Sequence, residues 1–348
     1  MVFGLSNRVV TLILLFASSY CLWAYLDGYY IRSYASFIPL LFAVQVLLSD
    51  LIEYYVLKRM RFGSYPFIVF MAPGTILHEL SHFFAALFSG CYITGMSLFK
   101  PNPKTGMLGY VNYRTPLDKW IVLREFVIAF APFFGCGSLM IMLNYLQGGD
   151  LVNVVNSVQL NVPEDFIGAF IHTSSIMTSS FLSMDYGSIL SWIMLYLQMC
   201  FAVGAAPSSI DFKGSFKNLY THPISTLFTL IILWLMLFFS EEPWNLAGVE
   251  SNISWCVKAL LWFTITVLLA SSTLLLLMLP LAFLFSKMSE ISGVYKLIPP
   301  ALSSSTIALM HWHLGFQLKD SLTAGLLVLT ASYIILRDPK SFVKSRRR

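Results

Sequence analysis

Long apolar runs separated by short polar segments dominate the sequence, and this pattern predicts a series of membrane-spanning helices. Most of the runs approach the roughly twenty apolar residues that a helix needs to cross a bilayer core. The predicted spans are 9–27, 37–57, 120–146, 186–206, 223–240, 255–286, 298–315 and 322–336. We therefore predict an all-α polytopic membrane protein with about eight transmembrane helices.

One segment departs from the helical pattern. Ile93–Phe99 and Met107–Tyr113 are short runs of β-prone residues on either side of Pro-Asn-Pro-Lys-Thr-Gly. Proline, asparagine and glycine favour tight turns, so the segment predicts a small β-hairpin.

Composition supports a membrane protein. Of the 348 residues, 57% are hydrophobic and 11% are charged, whereas about a quarter of the residues in soluble domains are charged. The net charge of +5 comes from basic residues in short loops and in the tail Lys344–Arg348. Basic residues are enriched in this way on the cytoplasmic side, so we predict a cytoplasmic C-terminus and no nucleic-acid partner. The five cysteines are scattered and show no disulfide or zinc spacing.

A His-Glu-x-x-His motif, from His78 to His82, lies inside an apolar run. Residues four apart share one face of an α-helix, so both histidines can bind one metal ion. Glu79 lies about 100° around the helix and can reach a water molecule on that ion. Zinc suits this set, because it binds neutral imidazoles and usually takes a third protein ligand beside an open position for water. Zinc lowers the pKa of the water, whose proton Glu79 can accept.

The motif helix is predicted to run from about Ile76 to Ser89. Thr75 is the predicted N-cap, and Gly90 is the predicted stop. Titratable side chains in hydrocarbon are costly and usually functional, which favours a metal site. The alternative is a polar contact that holds helices together without a metal.

Charge on both sides of the motif suggests an unusual path for residues 64–90. The basic segments Lys58–Arg61 and Lys100–Lys119 both read as cytoplasmic, so the stretch between them would enter and leave the same face. It is too short to cross twice, which predicts a re-entrant element broken at Pro73-Gly74. A single ordinary span is the alternative.

Two histidines do not complete a zinc site, and Asp211 is the predicted third ligand. It follows an apolar span and a Gly-Ala-Ala-Pro break at 204–207, which lets a helix end approach closely. Lys213 and Lys217 place its loop on the same face as the hairpin. The alternative is that Asp211 caps a helix at the membrane interface.

The remaining histidines are weaker candidates for the site. His311 and His313 are two apart, so on a helix they face different ways. His222 precedes a span and is predicted to lie at the interface. His172 lies among Ser and Thr residues, where a structural role is favoured over lining the site.

Two segments resemble the site-2 protease family of intramembrane zinc metalloproteases: His-Glu-Leu-Ser-His at 78–82 and Pro-Ser-Ser-Ile-Asp at 207–211. In that family one helix supplies two histidines and a catalytic glutamate, a β-rich membrane-associated loop follows, and a later aspartate completes the zinc site. The resemblance covers roughly residues 70–220. The usual Asn-x-x-Pro and Asp-Gly pattern is incomplete, because the Asn is missing and Phe212 follows the aspartate.

The resemblance implies one zinc ion per chain, bound by His78, His82 and Asp211, with Glu79 as catalytic base. It implies cleavage of a membrane-anchored protein within or near its transmembrane segment. It also divides the chain into an N-terminal transmembrane hairpin (1–63), a metalloprotease core (64–222), and C-terminal transmembrane helices with a basic tail (223–348). The oligomeric state is not indicated by the sequence.

Two other functions are compatible with the motif. A prenyl-protein-type zinc protease also carries His-Glu-x-x-His in a membrane, but its third ligand is a downstream glutamate, and no clear equivalent occurs here. A non-proteolytic transporter or assembly factor would use the histidines and Glu79 as a metal or proton relay. The absence of repeated halves with matching broken helices argues against a transporter.

Overall fold

The computed structural model describes residues 13, 15–22, 24, 32–53, 69–101, 108–149, 175, 179, 181, 188–206, 217–239, 249–288, 295, 298–316 and 318–337. Within them the chain is mostly helical, with a two-stranded sheet. The helices are α1 (Arg32–Glu53), α2 (Ala72–Phe88), α3 (Ile121–Leu146), α4 (Ile189–Ala205), α5 (Pro223–Phe239), α6 (Val249–Met288), α7 (Ile298–Ala308) and α8 (Leu318–Arg337). The strands are β1 (Tyr92–Ser97) and β2 (Tyr110–Arg114). The prediction of a helical chain with a small hairpin after the motif helix is confirmed.

Among the described residues, two stretches of helix are long and apolar enough to cross a membrane. They are Ile121–Leu146, which is the whole of α3, and Ala259–Leu279 within α6. Shorter apolar helical stretches lie at Ile38–Ser49, Leu190–Ala205, Pro223–Ile232 and Thr323–Ile335. The two long stretches support the membrane prediction, and the total of about eight spans stays a prediction.

The chain divides into two compact units. The first comprises residues 1–50 and 70–276, and it contains the motif helix and the hairpin. The second comprises residues 51–69 and 277–348. The three-part division drawn from the sequence stays a prediction.

Glycines bring α2, α3 and α4 of the first unit close together. A Cβ on Gly74 of α2 would overlap the carbonyl of Cys200 on α4, and one on Gly204 would lie 2.7 Å from the carbonyl oxygen of Gly74. On α3, a Cβ at Gly135 would overlap the hydroxyl of Ser81. Small residues let helix backbones approach in this way. The motif helix α2 therefore packs closely against both α3 and α4.

Helix α3 also contacts α1 and α6. The ring of Phe42 on α1 lies against Phe130 and Phe133, with centroids 5.8 and 5.2 Å apart. A Cβ on Gly137 would lie 2.7 Å from the side chain of Val267 on α6. Because α3 is packed on several sides, its backbone is a fixed support for the motif helix.

The hairpin is antiparallel, with Tyr92 opposite Arg114 and Ser97 opposite Tyr110. A bulge interrupts the register between Ile93 and Gly95. The Pro-Asn-Pro-Lys-Thr-Gly segment that connects the strands lies mostly outside the described residues.

Glu125 of α3 ties the base of the hairpin to the helices. The hydroxyl of Tyr113 donates to Glu125 Oε2 at 3.0 Å, and the Thr115 hydroxyl donates to Oε1. Hydrogen bonds to an ionised carboxylate are stronger than neutral ones. Both strands also contact α2, so the hairpin is held beside the motif helix.

In the second unit, α7 and α8 pack closely. The Ser303 hydroxyl donates to the carbonyl oxygen of Gly325 at 2.8 Å, and a Cβ on Gly325 would overlap Ile307. A π-helical turn, Leu309–His313, follows α7. His311 Nδ1 lies 3.1 Å from the carbonyl oxygen of Phe316, which gives this histidine a structural partner.

Candidate metal centre

The motif helix α2 spans Ala72–Phe88, with Met71 at its N-cap. The predicted start at Ile76, with Thr75 as the cap, is wrong. Pro73 lies in the first helical turn, where its missing N–H costs nothing, so the helix begins before it.

The predicted stop at Gly90 is confirmed. Gly90 has a φ of 73°, a left-handed conformation that glycine adopts without a Cβ penalty. Its N–H donates to Leu87 O at 3.0 Å, and the N–H of Cys91 donates to Ala86 O at 2.9 Å. This is the Schellman arrangement, which satisfies two carbonyls at the helix end and turns the chain into β1.

Cys91 follows this stop and is buried with Ala86 and Ile128. Burial raises the pKa of the Cys91 thiol, opposed in part by a hydrogen bond with Thr115. A cysteine binds metal as the thiolate, and burial disfavours the thiolate. Cys91 is therefore a packing residue in this arrangement.

Both motif histidines are oriented by backbone carbonyls of neighbouring helices. His78 Nδ1 lies 2.7 Å from Gly204 O on α4, and His82 Nδ1 lies 2.8 Å from Ile128 O on α3. A carbonyl oxygen can only accept a hydrogen bond, so each Nδ1 carries the proton and donates. In a neutral imidazole the other nitrogen, Nε2, then holds the lone pair that a metal needs.

The two Nε2 atoms point at each other, 3.2 Å apart. The ring planes are inclined at 80°, with centroids 4.8 Å apart. Two ligands at zinc–nitrogen distances of 2.0–2.1 Å in tetrahedral geometry lie about 3.3 Å apart. The pair therefore fits two adjacent ligands of a zinc ion.

Glu79 and His82 are buried, with exposed fractions of 9% and 8%. The end of the hairpin covers Glu79, because Gly109 packs against its side-chain stem. A buried carboxylate next to a histidine pair is shielded from bulk water, which strengthens its electrostatic effect on a reacting group.

The third predicted ligand, Asp211, lies outside the described residues, as does His172. Among the residues that the structure describes, no group of three or more His, Cys, Asp or Glu side chains is placed to hold a metal ion. The described part of the centre is thus the His78–His82 pair, with Glu79 beside it in the sequence.

The structure adds two backbone groups that the sequence did not identify: the carbonyls of Gly204 and Ile128. The Gly-Ala-Ala-Pro break had suggested that a helix end approaches the motif, and Gly204 lies within it. Ile128 is one of many apolar residues in α3, and no sequence signal distinguishes its carbonyl.

Comparisons with protein-family models, curated proteins and solved structures gave no match. The resemblance to the site-2 protease family therefore depends on the two motif segments.

Replacing Gly204 with alanine is expected to weaken zinc binding about 10- to 100-fold, the range for loss of a group that orients a metal ligand. The new Cβ would crowd Gly74 O at 2.7 Å and Cys136 Sγ at 2.9 Å. Helix α4 would then move away, and Gly204 O with it, from His78 Nδ1. Competition with a chelator of known affinity measures the change.

Gly137→Ala is the matched control for this change. It crowds a different helix contact, between α3 and Val267 of α6, at the same distance of 2.7 Å. We expect it to lower thermal stability and to leave zinc affinity unchanged. Equal affinities for Gly204→Ala and wild type would show that the Gly204 carbonyl does not orient His78 for a metal.

Proposed function

We propose that this chain is an intramembrane zinc metalloprotease that binds one zinc ion and hydrolyses a peptide bond within or near the transmembrane segment of a membrane-anchored protein. The observation that supports it best is the His78–His82 pair. Both Nδ1 atoms are engaged by carbonyls, and the Nε2 atoms lie 3.2 Å apart. The proposal includes a multi-pass topology with about eight spans and a cytoplasmic C-terminus.

A zinc ion bound by the histidine pair would polarise a peptide carbonyl and acidify a water molecule. In the proposed reaction, Glu79 accepts a proton from the attacking water and later returns it to the leaving amine. Its burial keeps bulk water from competing for that proton. Gly204 and Ile128 hold the histidine rings in one tautomer throughout.

The proposed substrate binds in an extended form, because a peptide bond within a helix is shielded by its own backbone. An edge of the two-stranded sheet could pair with that extended segment through main-chain hydrogen bonds. Both strands contact the motif helix, and Gly109 before β2 packs against Glu79, so the proposed pairing site belongs to the element that covers the proposed base.

Asp211 is the proposed third ligand, and Asp211→Ala is expected to reduce bound zinc well below one ion per chain. The reason is that two imidazoles alone leave a zinc site incomplete. Zinc content after exhaustive dialysis measures the effect. Asp320→Ala is the control, because Asp320 lies in the first turn of α8 in the other compact unit. Full zinc occupancy in Asp211→Ala would point to another ligand, as in a prenyl-protein-type protease.

One observation also fits the relay alternative. If one ring were an imidazolium, its Nε2–H could donate to the other Nε2 at the observed 3.2 Å. The pair would then share a proton and bind no metal, as expected for a proton-relay protein.

One experiment separates the two functions. The purified chain is reconstituted in liposomes with a single-span model peptide whose transmembrane segment contains glycine and asparagine, which weaken the helix. Zinc content, peptide cleavage and proton flux are measured on the same preparation. The protease predicts about one zinc ion per chain and cleavage that a chelator abolishes. Proton flux without zinc or cleavage would support the relay and refute the protease.

A further inference from the structure

Gly109, the residue before β2, lies directly against the side chain of Glu79. A Cβ at this position would be 2.6 Å from Glu79 Cγ, 2.8 Å from Leu98 O and 2.9 Å from Ser97 O. No side chain fits in such a space. The φ angle of Gly109 is outside the left-handed region, so the need for glycine here is spatial and not conformational.

Gly109 is held in place from both sides. The N–H of Lys100 donates to Leu108 O at 2.6 Å, which fixes the residue before it. The residue after it, Tyr110, pairs with Ser97 in the hairpin register. With both neighbours bound to β1 or its extension, the Gly109 backbone cannot easily retreat from Glu79.

We propose that Gly109 is a positioning residue for Glu79. The Gly109 backbone packs against the methylene groups of Glu79. This contact restricts the Glu79 carboxylate to the orientation in which it serves as general base. This inference rests on the proposed protease function. The hairpin then has a role beyond substrate binding, because it sets the geometry of the base on the neighbouring helix.

The physical reason is the freedom of a glutamate side chain. Glutamate has three rotatable side-chain bonds and is among the side chains that lose most rotamer freedom when they are fixed. A rigid wall at Cγ removes alternative rotamers before the substrate binds. A general base must lie within hydrogen-bond distance of the proton that it accepts, so this restriction favours catalysis.

Gly109→Ala tests the proposal, with Gly325→Ala as the control outside the proposed site. A Cβ on Gly325 of α8 would overlap the Ile307 side chain, so the control also introduces a clash, but in the second compact unit. We expect Gly109→Ala to bind zinc fully, to keep KM, and to lose about a hundredfold in kcat, as a displacement of about 1 Å would cause. Gly325→Ala should lower thermal stability and match wild type in zinc content, KM and kcat.

Zinc content and the KM-against-kcat comparison distinguish positioning from general damage to the fold. Unchanged kcat in Gly109→Ala would overturn the proposal. A loss of zinc parallel to the loss of kcat would also overturn it, because the substitution would then act on the whole centre.

A stability cycle tests the contact even if the chain has no protease activity. Gly109→Ala is expected to lower the melting temperature in detergent by several degrees, and by clearly less in a Glu79→Ala background, which has no Cγ at position 79. If Gly109→Ala does not fold, the double variant should. Equal effects in both backgrounds would assign the clash to the Ser97 and Leu98 carbonyls and refute the link to Glu79. If the wild-type chain bound no zinc and cleaved no peptide, the proposed protease function would be refuted, and the contact between Gly109 and Glu79 would still be tested by this cycle.

Discussion

Glu79→Gln is expected to retain one zinc ion per chain and to cleave the model peptide about a hundred- to ten-thousand-fold more slowly than wild type. Glutamine has nearly the shape of glutamate, so the packing against Gly109 should persist. The amide cannot accept and return a proton at neutral pH, so only the acid–base step is lost. Single-turnover cleavage in liposomes, with zinc content measured on the same sample, checks both halves of the expectation.

Glu125→Gln is the matched control for Glu79→Gln. Glu125 is a carboxylate of α3 that accepts hydrogen bonds from Tyr113 and Thr115 at the base of the hairpin. The glutamine amide oxygen can still accept a hydrogen bond from Tyr113 or Thr115, so the hairpin should stay docked. We therefore expect stability to fall by about 1–2 kcal/mol and the chemical step to be unaffected. Cleavage by Glu79→Gln at the wild-type rate would exclude Glu79 as the base.

His82→Ala and His78→Ala are each expected to remove zinc and reduce cleavage to background. Each substitution removes one of the two Nε2 donors that lie 3.2 Å apart. A single remaining imidazole with one carboxylate is a poor zinc site. His82→Ala also leaves the carbonyl of Ile128 without its donor, so thermal stability should fall as well. Zinc content and cleavage are measured on variants purified in the same detergent.

His313→Ala is the control for the histidine variants. His313 is exposed, in the π-helical turn of the second unit, and should retain zinc and activity. If His78→Ala and His82→Ala both kept a full zinc ion per chain, the proposed centre would be wrong. The shared-proton arrangement would instead be supported if the wild-type chain bound no zinc and conducted protons, and if both variants lost that proton flux.

Local sequence signals predicted much of the fold. The apolar runs gave the helices, since an uninterrupted run of that length has few alternatives in a membrane. The β-prone segments on both sides of a turn-forming sequence correctly predicted the hairpin. Gly90 was identified correctly because the left-handed residue at a helix end is usually glycine, and its requirement is local.

The start of the motif helix was mispredicted because two local signals compete there. Thr75 is a favourable N-cap residue, which predicts a start at Ile76. Pro73 is equally favourable in the first helical turn, which predicts an earlier start. Either start is compatible with the sequence. In the structure the helix includes the earlier residues, and Gly74 in its first turn packs against the carbonyl of Cys200 on α4.

The supports of the site could not be predicted, because they are contacts between distant segments. The carbonyls of Ile128 and Gly204 belong to α3 and α4, and every residue in those helices has a carbonyl. Which of them meets a histidine depends on helix rotation, which is set by tertiary packing. The contact between Gly109 and Glu79 similarly depends on where the hairpin docks. The proposed role of Asp211 stays a prediction from the sequence.

The two carbonyls that hold the imidazole rings lie on different helices, α3 and α4, which both pack against the motif helix and against each other. Where a carboxylate orients a metal-binding histidine, it adds negative charge beside the ion, whereas a backbone carbonyl adds none. In the proposed metalloprotease, a zinc ion at this pair would therefore be less neutralised, and more electrophilic, than one with acidic outer partners. In the proposed metalloprotease, a change in the spacing of α2, α3 and α4 would therefore alter the affinity for the ion directly.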